Sequence, residues 1–279
     1  MFFTLYQNLL VFVFGLMAGS FFNVLIYRLP KDESIVFPGS HCPGCNKKIR
    51  PWENIPLISY LLLRGKCSNC SMRISYQYPV VELFTGILAL ILYNTLLLNP
   101  SSSTGDLATG ILLSLTILMS IPVSIIDIRH CIIPHRLTLS GLVLSLGISL
   151  IPGGNTPLLF LTGAAAGGGA LLIISLLGKA VFRKEAMGGG DIVLMAFLGS
   201  VAGWEHALGT IFIGSLYGSI GGILYLIIKK SQSDRIIPFG PFLYAGFITS
   251  VGAGQELLSL YLSLLDSLAI IVVDFMHGL

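Results

Sequence analysis

The sequence predicts an all-α polytopic membrane protein, and three observations carry that prediction. Of 279 residues, 54% are hydrophobic and only 10% are charged, far from the balance of a soluble domain. The mean hydropathy is +0.87. Apolar segments recur at lengths suited to about 30 Å of hydrocarbon and alternate with short polar loops. About eight transmembrane helices are expected, with a small cysteine-containing cytoplasmic domain between the first and the second.

Taken in order, the first span covers 5–27. No Lys or Arg precedes Arg28, so the basic start of a cleaved signal peptide is missing and the span is expected to be retained. Residues 28–78 form the one substantial polar region, with eight of the 16 Lys and Arg and four of the five Cys. Further spans are expected at 79–98, 107–126, 137–151, 158–178, 191–204, 207–228 and 239–254, and 257–273 is long enough for a ninth. The chain thus divides into a first span (1–27), a cytoplasmic domain (28–78) and a transmembrane domain (79–279). Gly163-Ala-Ala-Ala-Gly-Gly-Gly169 lies inside an apolar span and lacks a following Gly-Lys-Ser/Thr, which excludes a phosphate loop and favours close helix packing.

Orientation follows from charge. All 16 Lys and Arg fall within 28–73, 129–136, 179–184 and 229–235, which are alternate loops, whereas 99–106 and 152–157 carry none. The positive-inside rule places the basic loops in the cytoplasm and the N-terminus outside. The net charge of +3 is therefore a topology signal: the expected partner is a lipid bilayer, and no nucleic acid is expected.

Cys42-Pro-Gly-Cys45 and Cys67-Ser-Asn-Cys70 are two Cys-x-x-Cys pairs about 21 residues apart. Two such knuckles supply four thiolates to one tetrahedral ion, so 28–78 reads as a zinc-binding domain. The alternatives are two disulfides or four unrelated buried thiols, and a cytoplasmic position argues against disulfides. Four protein ligands leave no open position, so the Zn²⁺ is expected to be structural, with no need for the adjacent His41. Cys131 has no partner in sequence and is expected to be a plain buried thiol.

Asp127 ends one span and Asp191, in Gly188-Gly-Gly-Asp191, opens another, with two spans between them. An even number of crossings returns the chain to the same membrane face. Taken singly, Asp127 pairs with Arg129 and Asp191 caps a helix. Taken together they form a candidate aspartic protease dyad, because two neighbouring carboxylates hold one proton between them and serve as base and acid. Glycines before Asp191 would let backbone approach an extended substrate. Glu82, at the start of the second span, either pairs with a basic residue of the cytoplasmic domain or takes part in group transfer; Glu205 reads as a solvated loop residue.

The chain resembles the bacterial type IV prepilin peptidases. The resemblance rests on Gly19-Ser-Phe-Phe-Asn23 through Pro30, both Cys pairs, Arg50-Pro-Trp-Glu-Asn-Ile-Pro56, Ser59 to Lys66 and Tyr78-Pro-Val-Val-Glu82-Leu83. It continues with Asp127, Ile133-Pro134, Gly188 to Asp191 and Pro238-Phe-Gly-Pro241. It implies a multi-pass enzyme of the bacterial inner membrane, with its active site on the cytoplasmic side. Such an enzyme cleaves the basic leader of type IV prepilins and pseudopilins after Gly, using Asp127 and Asp191. It then methylates the new N-terminal residue, usually Phe, with S-adenosylmethionine. The cysteine domain implies that methyl transfer is retained. One departure is Val193, where relatives commonly carry Lys; the tail after Leu265 is also longer than usual. A proton-coupled carrier would instead show repeat symmetry between its halves and acids near the membrane midplane. A zinc-dependent scaffold would leave the aspartates as helix caps, and a cleavage assay separates it from the enzyme.

Overall fold

The computed structural model describes residues 2–98, 104–183, 187–229 and 237–254, with Glu256 and Ser259. The tail after Leu265 lies outside the described residues, as does the 257–273 segment apart from Ser259. Among the described residues the fold is helical, with two isolated antiparallel bridges and no strand. The helices are α1 (Phe2–Arg28), α2 (Ile58–Leu62), α3 (Gln77–Leu92), α4 (Thr104–His130), α5 (His135–Ser149), α6 (Pro157–Phe182), α7 (Gly189–Ala202), α8 (Trp204–Lys229) and α9 (240–254). A π-helical turn, Tyr93–Leu97, extends α3.

Among the described residues, five helical segments are long and apolar enough to cross a membrane: Thr4–Lys31, Gln77–Leu97, Thr104–His130, Pro157–Val181 and Trp204–Leu224. Helices α5 and α7 have 15 and 14 residues, or about 22 and 21 Å of axis at 1.5 Å per residue. Sequence reading put the end of one span at 126, but α4 runs on to His130, so Asp127 is inside the helix. The α7–α8 break is a single residue, Gly203, whose φ of +88° suits glycine.

Helix contacts are made where side chains are small. α6 packs on α7, and a Cβ added at Gly163 or Gly167 would overlap the carbonyl oxygens of Gly199 or Met195. This is the close-packing role expected of the glycine run. α1 packs on α3 in the same way: a Cβ at Gly15 would sit 2.8 Å from both Ala89 Cβ and Gly86 Cα. In a bilayer such contacts gain dispersion energy and interhelical hydrogen bonds rather than relief from water. Buried Asn23 provides one of these bonds, donating to the Tyr78 carbonyl at 3.2 Å while accepting from the Gln77 side chain at 3.2 Å. Ser200 supplies another, donating to Ser145 Oγ at 3.0 Å between α7 and α5. The innermost side chains, Ile126 of α4, Leu194 and Leu198 of α7, and Leu243 and Phe247 of α9, are fully buried and belong to one apolar core.

Between α1 and α3 lies the cysteine domain. Buried Arg28 ends α1 and donates to the Ser34 and Pro38 carbonyls at 2.8 and 2.6 Å, pinning the chain as it leaves the helix. At the other end the Leu57 N–H donates to Glu82 Oε2 at 2.9 Å, docking the domain on α3.

Candidate active site

Asp127 lies in the last turn of α4. The helix stops at Cys131, whose positive φ of 53° turns the chain and whose N–H donates to the Asp127 carbonyl at 2.8 Å. Ile132, Ile133 and Pro134 then lead into α5. Asp191 lies in the first turn of α7, its N–H donating to the carbonyl of the N-cap residue Gly188 at 3.2 Å. Gly190 explains why these two segments can meet. A Cβ there would sit 2.9 Å from Ile133 Cβ, so a larger residue would push α7 away from the α4–α5 connection.

The two carboxylates line one pocket of about 520 Å³, with Asp32, Cys131, His135 and Arg136 at its border. Asp127 is buried and Asp191 partly exposed. Asp32 forms a loose 3.7 Å ion pair with Arg136, both exposed. The N-terminus of α9 completes the site: the Gly240 N–H donates to Asp127 Oδ2 at 2.8 Å. A Cβ on residue 240 would itself lie 2.8 Å from that oxygen. Such a pocket can hold one proton between two carboxyls beside a substrate carbonyl.

Sequence reasoning gave Gly240 no role. It is 113 residues from Asp127, and a backbone N–H leaves no side-chain signature; the Pro238-Phe-Gly-Pro241 motif was the available signal. Cys131 corrects an expectation. Predicted to be a buried thiol, it is exposed and borders the aspartate pocket, because the left-handed turn after α4 carries it outward. Glu205 is exposed as expected, but in the first turn of α8 rather than in a loop.

The four cysteines converge. Cys42 and Cys70 sulfurs are 3.8 Å apart, those of Cys45 and Cys67 4.0 Å apart, and all four lie within 4.8 Å of one another. A tetrahedral ion with bonds of about 2.3 Å requires sulfur–sulfur edges of about 3.8 Å, which the Cys42–Cys70 and Cys45–Cys67 pairs match. The knuckles are built alike. Cys42 N–H donates to the Lys47 carbonyl and Cys67 N–H to the Met72 carbonyl, with Asn46 and Ser71 at positive φ and bridges His41–Lys48 and Lys66–Arg73 closing each loop. Backbone N–H groups of Cys70 and Asn69 hold the Cys67 thiol down to about 6, while burial and the neighbouring cysteines push Cys70 up to about 11, so the first thiolate of the cluster forms at Cys67.

Comparisons with known proteins bear on both regions. Residues 13–96 match the bacterial peptidase A24 N-terminal domain and residues 112–223 match the type IV leader peptidase family. A prepilin leader peptidase/N-methyltransferase of Aeromonas salmonicida is 35% identical, over 91% of this chain and 93% of its own length. The chain belongs to the type IV leader peptidase family. A Pseudomonas aeruginosa relative of the same name is 36% identical over 86% of this chain and 89% of its own length. One from Myxococcus xanthus is 37% identical over 81% of this chain, a match spanning 65% of the relative. No solved structure matches the chain. Both aspartates fall within the leader peptidase match and all four clustered cysteines within the N-terminal one, whereas Gly240 lies beyond either.

Proposed function

We propose that this membrane enzyme removes the leader of type IV prepilins and pseudopilins after Gly and then N-methylates the new N-terminal residue. The observation that carries the proteolytic half is the shared pocket of Asp127 and Asp191 at the meeting of α4, α7 and α9. One carboxylate takes a proton from the attacking water. The other donates to the scissile carbonyl and then to the leaving amine. Gly240 fixes one oxygen of Asp127, so the dyad keeps its orientation while protons move. The substrate's apolar helix lies in the bilayer against the spans, and its basic leader stays at the cytoplasmic surface.

That reading has all eight apolar helices α1 and α3–α9 crossing the inner membrane. The short α5, α7 and α9 sit beside longer neighbours, with the N-terminus outside. The grouping of Arg28, Lys31, Arg73 and Arg129 around one groove supports a common cytoplasmic end. The cysteine domain, 28–78, holds a structural Zn²⁺ through Cys42, Cys45, Cys67 and Cys70. S-adenosylmethionine supplies an electrophilic methyl group when bound.

The test is incubation of the purified protein in detergent with a prepilin peptide, followed by mass spectrometry. Cleavage at the Gly/Phe junction and, with S-adenosylmethionine present, one added methyl group are expected. An uncut peptide sinks the proposal.

A further inference from the structure

We propose that α2 is a membrane-surface element: its outer face lies in the cytoplasmic leaflet, where headgroups meet acyl chains, and seats the cysteine domain on the bilayer. This requires α1 and α3 to cross the membrane as proposed above, and it is independent of either catalytic activity.

The helix is apolar on the wrong side for water. Ile58, Leu61 and Leu62 follow i, i+3, i+4 spacing and share one face, yet they are 54%, 72% and 78% exposed. Ser59 and Tyr60, on the other side, line the groove between the cysteine domain and the helix ends. An amphipathic helix normally turns its apolar stripe toward a core. Here the polar side is packed and the leucines point outward, so their cover must come from outside the chain.

The height of α2 is fixed at two points. Where it starts, the Leu57 N–H donates to Glu82 Oε2 at 2.9 Å, in the second turn of α3. In its middle, the Tyr60 ring lies 6.2 Å from that of Tyr76, the residue just before α3. From 76 to 82 is about 9 Å of helix rise. The polar layer on each side of a bilayer is about 5–8 Å thick. α2 therefore runs beside the end of a span, at the depth of that layer.

The outer side of α3 leads to the same place. Val80, Phe84, Ile87 and Ile91 form an exposed stripe along it, and exposed Tyr76, one turn before Val80, carries the stripe to the contact with Tyr60. Trp52, in the 3₁₀ turn Pro51–Asn54 ahead of α2, is exposed as well, with the Arg50 guanidinium 5.6 Å from its ring centroid. Exposed Arg64 follows α2. Tyr and Trp rings settle at headgroup level, and an Arg there keeps its stem among apolar groups while its guanidinium reaches the phosphates. Leucines, aromatic rings and cations gathered at one depth fit a lipid interface.

Trp52 and Trp204 are the two tryptophans of the chain, so lipid contact can be read by fluorescence. The experiment places full-length protein carrying Trp52→Phe, Trp204→Phe and Leu61→Trp in phosphatidylcholine nanodiscs, plain or brominated on the acyl chains near the headgroup, and adds iodide to the water. We expect bromolipid to quench the emission at least about twofold and iodide to quench it weakly, as for a helix whose apolar face sits about 5–10 Å into the headgroup boundary. Quenching by iodide and not by bromolipid places α2 in water; shielding from both places it against protein. Either result overturns the assignment. In the same background Phe84→Trp, on the α3 stripe, must be quenched by bromolipid; if it is not, the membrane reading of α3 fails and that of α2 with it. Should the Leu61→Trp protein lack a thermal transition in detergent, the Trp204→Phe protein reads native Trp52 against the same outcomes. Cleavage is not part of the readout, so an uncut prepilin leaves the result standing.

Discussion

Replacing Gly240 with alanine isolates what α9 does for the dyad. The new methyl carbon would start 2.8 Å from Asp127 Oδ2 and 3.4 Å from its Cγ, so one partner must move by about half an ångström to reach ordinary contact. Neither has room to move without consequence. Asp127 is buried beside Ile126, and α9 is held by fully buried Leu243 and Phe247 a turn and two turns further on. Two costs follow: weakening of a hydrogen bond to a carboxylate, about 1.5–3 kcal/mol, and misplacement of a reacting group, which at 1 Å costs about a hundredfold. The expected result is a fall in kcat of about 10- to 100-fold with KM within about threefold, measured by continuous cleavage of a quenched prepilin peptide in detergent. A kcat within twofold of wild type, in protein of unchanged thermal stability, would refute the claim that α9 orients Asp127.

Asp127→Asn and Asp191→Asn should each reduce cleavage by at least about 10²-fold, the usual contribution of acid–base steps, while leaving membrane insertion intact. An Asn at 127 still offers an oxygen to the Gly240 N–H, so folded, inactive protein is the discriminating outcome. Purified protein should carry one Zn²⁺ by elemental analysis, and Cys67→Ser should lower that stoichiometry and loosen the cysteine domain in limited proteolysis; full metal content in the variant would contradict a four-sulfur site. Gly167→Ala should destabilise the α6–α7 contact by about 1–3 kcal/mol, as overpacking does, whereas Gly169→Ala, with nothing within 4 Å of the added carbon, should be silent. Equal melting temperatures for the two in detergent would show that α6 and α7 are not closely apposed.

Much of this architecture was legible in the sequence because its signals are local. Apolar length gave the helices, and Cys-x-x-Cys spacing gave a cluster whose sulfurs lie within 4.8 Å. Counting crossings brought Asp127 and Asp191 to one pocket. Helix ends were less legible. The hydropathy of α4 falls at its polar last turn although the helix continues to His130, and Gly203 alone separates α7 from α8. Contacts made by backbone were not legible at all. The Gly240 N–H, the Leu57 N–H on Glu82 and the left-handed turn that exposes Cys131 use groups that every residue carries, so only the folded chain reveals which ones matter.

The close pairing of α1 with α3 also bears on how the cysteine domain comes to be. Because Gly15 and Gly86 bring these helices together, the loop between Arg28 and Gln77 has its ends tied by helix packing independently of either knuckle. Joining the ends of roughly 48 free residues costs on the order of 3 kcal/mol of chain entropy beyond a constant. Here helix association in the bilayer has already met that cost. The knuckles therefore search for one another as a tethered loop, at a raised effective concentration, and the same segment cut free as a soluble peptide begins without that advantage. Under the zinc reading proposed above, packing of the first two spans thus favours metal capture, linking the maturation of the cysteine domain to contacts inside the membrane.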